Sequence, residues 1–164
     1  MILKLLRKLR AIFKPASVEN GKPGLLDPVE ILRVNSHDLL RLAEQIHAHA
    51  KTAPYPHVAE RLRQIVLEKR ESVKILREKL LSLKGELDYP RFNLKSGKNH
   101  WERISRDIED QRVLESRLQE QASRLAEEAP EISDLLKRIM ATETSHKEIL
   151  MDLVMRADPQ ANQT

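Results

Sequence analysis

The 164-residue chain contains no cysteine, which excludes disulfides, iron–sulfur clusters and thiol chemistry. It has only four glycines, and aromatic residues make up 3% of it. So little glycine leaves no phosphate-cradling loop, and there is no nucleophile elbow. No uninterrupted apolar run approaches the roughly 20 residues needed to cross a bilayer. The N-terminus lacks the long apolar core of a secretory signal. These absences point to a cytoplasmic protein and away from kinases, hydrolases and dehydrogenases.

What is abundant is charge. A third of the residues are Asp, Glu, Lys or Arg, in long runs with Leu and Ala. That composition reads as all-α, and the length suits one domain with a real core. The formal net charge of +4 is concentrated at one end. Residues 1–14 hold Lys4, Arg7, Lys8, Arg10 and Lys14 and no acid. Without them the chain is close to neutral with mixed signs, which argues against nucleic-acid binding.

Periodicity divides the chain into a 1–14 amphipathic helix, a 15–27 linker, a 28–157 body and a 158–164 tail. In the first segment Leu5, Leu6, Leu9, Ile12 and Phe13 share a face opposite the five cations. About 21 Å long, this helix cannot span a bilayer. It could lie on an anionic membrane surface, dock into a protein partner, or serve as an unstructured or stabilising arm. The expected location is therefore cytoplasmic, peripheral at the membrane if lipid is the partner.

In the body, Asp27 and Pro28 start a helix running to about Lys51. A second runs from about Val58 to Leu83, a third from His100 to about Glu128, and a fourth from Pro130 to about Ala157. The first and third connections are tight, so each joins an antiparallel hairpin. The middle one, Gly85 to Asn99, could stretch about 50 Å. That would cross the whole length of a bundle, though an up-down bundle with a loose loop stays open.

The inward stripes are clear. They comprise Ile31, Leu32, Leu39, Leu42 and Ile46; Val58, Leu62, Ile65, Val66, Val73, Leu76 and Leu80; Ile104, Leu114, Leu118, Ala122 and Leu125; and Ile132, Leu136, Ile139, Met140, Leu150 and Val154. Within them fall Glu143 and His146, an inward Glu-x-x-His, whose burial is costly unless something pairs with them. Asn35, Lys69 and Gln111 occupy comparable positions on the other helices, with Ser72 and Asp107 in an adjacent layer. Glu44 to His47 has the same spacing, but Glu44 faces solvent and His47 lies on a flank. His37, His57 and His100 fall on outer faces or near turns.

The two hairpins also repeat. A shift of 74 residues lays Pro56 on Pro130, Val58 on Ile132, Leu62 on Leu136, Ile65 on Ile139, Ile75 on Ile149 and Leu76 on Leu150. With the inward Glu-x-x-His and the tight-long-tight connections, residues 28–157 resemble the ferritin-like superfamily of rubrerythrin and bacterioferritin. The resemblance implies a ferritin-like four-helix bundle with one long crossover, here preceded by a short amphipathic helix. It also implies a di-iron site built from a Glu on the first and third helices and Glu-x-x-His on the second and fourth. The matching positions here are Asn35, Gln111, Lys69 with Ser72, and Glu143 with His146. Two bridging carboxylates are amides, one ligand Glu is a cation and one His is a serine.

Such a degenerate site implies no resident metal, with Lys69 and Glu143 balancing each other and Asn35 and Gln111 bonding both. Lys69 could instead reach sideways to solvent, or the layer could be a plain polar core. A residual mononuclear site from Glu143, His146, Asp107 and Gln111 is the remaining metal option, and His146 can alternatively bond Asp107. The missing ligands lean against an enzyme. The expected function is a non-catalytic interaction module, associated with a membrane surface or larger assembly through residues 1–14, and able to form a homo-oligomer. The alternative is an iron-binding oxidase, peroxidase or iron-storage protein.

Overall fold

A computed structural model describes residues 27–157. The expected N-terminal helix and C-terminal tail lie outside the described residues. Four helices form the body: α1 (Pro28–Lys51), α2 (Pro56–Ser82), α3 (His100–Leu125) and α4 (Pro130–Met155). Local chemistry sets their starts. The Asp27 carboxylate accepts the Val29 amide at 3.0 Å, and Asn99 accepts the Glu102 amide at 2.8 Å. Proline stands at the first position of α1, α2 and α4, where it leaves no helical bond unmade. Pro56 thus starts α2 two residues before the first apolar stripe residue. No described helix is long and apolar enough to cross a membrane.

Cross-helix pairs give the topology. Asn35, Asp38, Arg41 and His49 of α1 meet Gln121, Arg117, Asp110 and Asp107 of α3. One series rises as the other falls, so α1 and α3 are antiparallel. Arg61 meets Asp152 at 2.9 Å and Lys79 meets Glu131 at 2.8 Å, which makes α2 and α4 antiparallel too. Each tight hairpin adds its own reversal. Hence α2 and α3 run parallel, on one diagonal of a square whose sides are α1–α2, α2–α4, α4–α3 and α3–α1. This is the ferritin-like arrangement with one long crossover.

The crossover, residues 83–99, climbs along α1. Arg33 Nε donates to the Glu86 carbonyl at 3.2 Å, and His37 Nε2 to the Asp88 carbonyl at 3.0 Å. Farther up, the Lys95 amide donates to Gln45 Oε1 at 2.8 Å, and its carbonyl accepts from His49 Nε2 at 3.0 Å. Backbone groups that a sheet or helix would have satisfied are met by side chains of α1.

The stripes converge on one core, in which Leu32, Leu39, Ile46, Leu62, Ile65, Leu76, Leu80, Ile104, Leu118 and Leu136 are fully buried. Each such side chain contributes about 1.5–3 kcal/mol relative to exposure. Met140 and Val154 are only partly buried, packed at the edge of that core.

The start of the crossover is tightly built. The Gly85 amide donates to the Leu80 carbonyl and the Lys84 amide to Leu81, both at 2.9 Å, with Lys84 at φ 60°. This closes α2 in a Schellman motif. A Cβ on Gly85 would meet Leu80 Cδ1 at 2.5 Å and Val29 Cγ1 at 2.9 Å. Gly85→Ala should therefore cost about 1–3 kcal/mol by overpacking. Urea unfolding checks this, and an unchanged midpoint would mean that the α1–α2 seam can give way there.

Candidate functional site

Three helices deliver one polar layer to the middle of this core. Lys69 of α2, Gln111 of α3 and Glu143 of α4 are each 0% exposed. Buried apolar residues flank each of them along its helix, among them Ile65, Val66 and Val73 on α2, Ile108 and Leu114 on α3, and Ile139 and Leu150 on α4. The Lys69 ammonium bonds Glu143 Oε2 and donates to Gln111 Oε1 at 2.7 Å. Gln111 Nε2 donates to Glu143 Oε2 at 2.6 Å and to the Glu143 carbonyl at 2.9 Å. Lysine and glutamine thereby meet across the α2–α3 diagonal, on the axis of the bundle. Lys69 does not reach sideways to solvent.

Electrostatics follow the geometry. Burial alone would push the Glu143 carboxyl up. The Lys69 ammonium and the nearby imidazole of His146 outweigh burial and hold it at about 2. Burial lowers the lysine from its ordinary value, and the Glu143 charge opposes that shift.

His146 is also 0% exposed. Its Nε2 lies 2.8 Å from Glu68 Oε2, at the rim of the bundle, and its Nδ1 lies 3.4 Å from Glu143 Oε1. Those last two atoms are the buried pair in this layer without a hydrogen-bond partner. Gln64 and His146 together keep the Glu68 carboxyl below its ordinary value. Ser72 is buried one turn from Lys69.

Two expected neighbours lie elsewhere. Asn35 is buried, but its amide donates to the Ile31 carbonyl at 2.9 Å and to Gln121 Oε1 at 2.7 Å. Asp110 faces Arg41, so the level of Gln111 lies about two turns beyond Asn35 on α1. Asp107 does not bond His146. Its carboxylate takes His49 Nδ1 at 2.7 Å and Gln45 Nε2 at 2.8 Å, on the α1 side of α3. Burial raises the Asp107 carboxyl, with His49 and Gln45 opposing.

Asp107, Gln45, His49 and Asp110 form a second buried polar cluster, which also grips the crossover at Lys95. Gln45 and His49 are one turn apart on α1, and Asp107 and Asp110 one turn apart on α3. Matching those spacings across facing helices would have found it. His100 is buried too, at 2% exposure, and not on an outer face.

The layer does not fit a metal. Asp107 and both polar atoms of Gln111 are already engaged, which leaves Glu143 Oε1 and His146 Nδ1 as two donors beside a lysine ammonium. Two ferrous ions would bring four positive charges to one carboxylate and that cation. Among the described residues, no group of three or more His, Asp or Glu is placed to hold a metal. The geometry is that of a structural ion pair with one polar edge toward Glu68.

Comparisons place the fold. No family model matches the sequence, and no curated protein does. Solved structures do match: a mycobacterial bacterioferritin, with TM-score 0.74 and 22% identity over 84% of this chain and 86% of that one. A Mycobacterium tuberculosis bacterioferritin matches with TM-score 0.73 and 20% identity over 84% of this chain and 87% of that one. The expected non-catalytic interaction module at a membrane or assembly is overturned here. The finding that overturns it is this likeness to bacterioferritins, which fits the alternative reading better.

Two predictions follow from the layer. Lys69→Met should cost roughly 3–5 kcal/mol by stranding a buried carboxylate. Adding Glu143→Leu should recover most of that loss, because an apolar pair suits the surrounding Leu, Ile and Val side chains. A double mutant as unstable as the single would show that the pair is not the source of the cost.

The second concerns acid. Glu143 titrates at about 2 when folded, against an ordinary value of 4.5. Its contribution is complete above that ordinary value and is lost as pH falls from there toward 2. In urea unfolding between those limits, wild type should lose stability relative to the double mutant as pH falls. A difference independent of pH would contradict the depressed carboxyl.

With its centre spanned by a lysine–glutamine–glutamate network, the chain folds as a ferritin-like four-helix bundle of the bacterioferritin type.

Proposed function

We propose that the chain is an iron-storage subunit of a homo-oligomer, whose bundle centre is a degenerate di-iron site sealed by Lys69 and Glu143. The likeness to bacterioferritins over 84% of the chain carries this reading. The interior pair discriminates within it. An oxidase or peroxidase needs redox metal held by inward carboxylates and histidines. Here a cation stands among the positions that would supply them, so the storage branch of the iron alternative is favoured over the oxidase branch.

Iron is then cargo, held by the assembly and not bound at the helix axis. Within each bundle, Lys69, Gln111 and Glu143 keep helix register and leave no room for a cation. The expectation of no cofactor concerns this resident site alone, since iron would still be the stored substrate. No partner beyond further copies of the chain is required, and neither a membrane nor a protein docking site enters the reading.

Light scattering on the full chain should show a homo-oligomer, and aerobic loading with ferrous salt should leave iron co-migrating with it on gel filtration. Loading should proceed without a rapid initial oxidation phase, and Lys69→Met with Glu143→Leu should leave the iron retained unchanged. A monomer that retains no iron would refute the storage reading. A fast oxidation phase abolished by that double substitution would instead favour an active metal centre in the bundle.

A further inference from the structure

One end of the bundle carries a cavity that the central layer does not use. It has a volume of about 160 Å³ and is lined by the α1–α2 turn, the start of α3 and the end of α4. Val58 and Leu153 supply apolar wall, and Tyr55, His57, Arg61, His100 and Arg156 supply polar groups. No carboxylate is among the described residues lining it. A cavity of this size, apolar-walled, admits about one benzene ring.

The fixed charges among the lining residues, Arg61 and Arg156, have one sign. Arg61 and Arg156 already share a carboxylate: Arg61 Nη1 lies 2.9 Å from Asp152 Oδ2, and Arg156 Nε lies 2.9 Å from Asp152 Oδ1. Among the described residues, two guanidiniums against one acid leave a net positive charge at the mouth, and Asp152 holds both. Each guanidinium has further N–H groups in a planar fork that suits carboxylates. His100 is only 2% exposed, yet its Nδ1 has no hydrogen-bond partner. A buried polar atom in that state costs stability unless something fills its place.

We propose that this end of the bundle binds a small aromatic monocarboxylate, its ring between Val58 and Leu153 and its carboxylate against Arg61, Arg156 and the orphaned His100 Nδ1. The apolar walls select the ring. The excess positive charge selects the anion, and a neutral amide of the same shape would forfeit the charge-assisted bonds. The site is distant from the Lys69 layer and independent of iron storage.

Benzoate is the probe, titrated into the isotopically labelled full chain and followed by amide chemical shifts. Saturable shifts should appear around residues 54–61, 100 and 153–157, with a Kd on the order of 1 mM for so small a ligand. Benzamide should bind about tenfold more weakly, as should benzoate to Arg61→Gln with Arg156→Gln, through loss of the charge-assisted bonds. Those exposed substitutions should leave the thermal midpoint within a few degrees of wild type. Equal affinity for benzamide, undiminished binding by the double variant, or shifts that never saturate would overturn the proposal.

Discussion

The Lys69–Glu143 pair is the constraint around which the bundle is arranged. Moving either charge from water into the core costs several kcal/mol, and only a close partner with further hydrogen bonds offsets that cost. Gln111 supplies those bonds, its side-chain carbonyl accepting from the ammonium and its NH2 donating to the carboxylate. Because the partners come from three helices, a slide of any one by a turn would leave a buried charge unpaired. The apolar stripes tolerate such slides far better, since one Leu or Ile replaces another. The polar layer therefore fixes register, and the apolar stripes supply most of the stability.

A second polar cluster solves a different problem. A crossover of the bundle's full length carries backbone groups with no helix to satisfy them. Gln45 and His49 meet Lys95 from below while holding Asp107 and Asp110 from the side. One cluster thereby ties α1, α3 and the crossover together and enforces the parallel arrangement of α2 and α3. Both clusters consume the ionisable side chains that could otherwise have bound metal. The interior polar groups serve the architecture of the bundle.

Much of this was legible in the residues. The stripes gave the buried face of every helix, and the long middle connection with its flanking tight turns gave the crossover. Lys69, Gln111 and Glu143 stood out because charged or amide groups interrupted apolar stripes. Height along the bundle was harder to read. A helical wheel gives direction but not level, so Asn35 looked like a fourth member of the layer although it pairs with Gln121. Direction was also too coarse for Asp107, which leans inward toward α1 and not toward His146. Glu68 was missed because it sits at the rim, where an exposed glutamate and an ion-pairing one look alike. The interaction-module function is overturned for a different reason: it rests on an amphipathic segment outside the described residues, whereas the likeness to bacterioferritins rests on the bundle.

We propose that a lysine ammonium occupies the place a metal would take. Crystals grown with excess ferrous or zinc salt, and examined by anomalous diffraction at each metal's edge, test it most directly. The Lys69–Glu143–Gln111 network should stay intact, with no anomalous peak inside the bundle. A peak beside Glu143 Oε1 and His146 Nδ1, with the Lys69 side chain displaced, would contradict it.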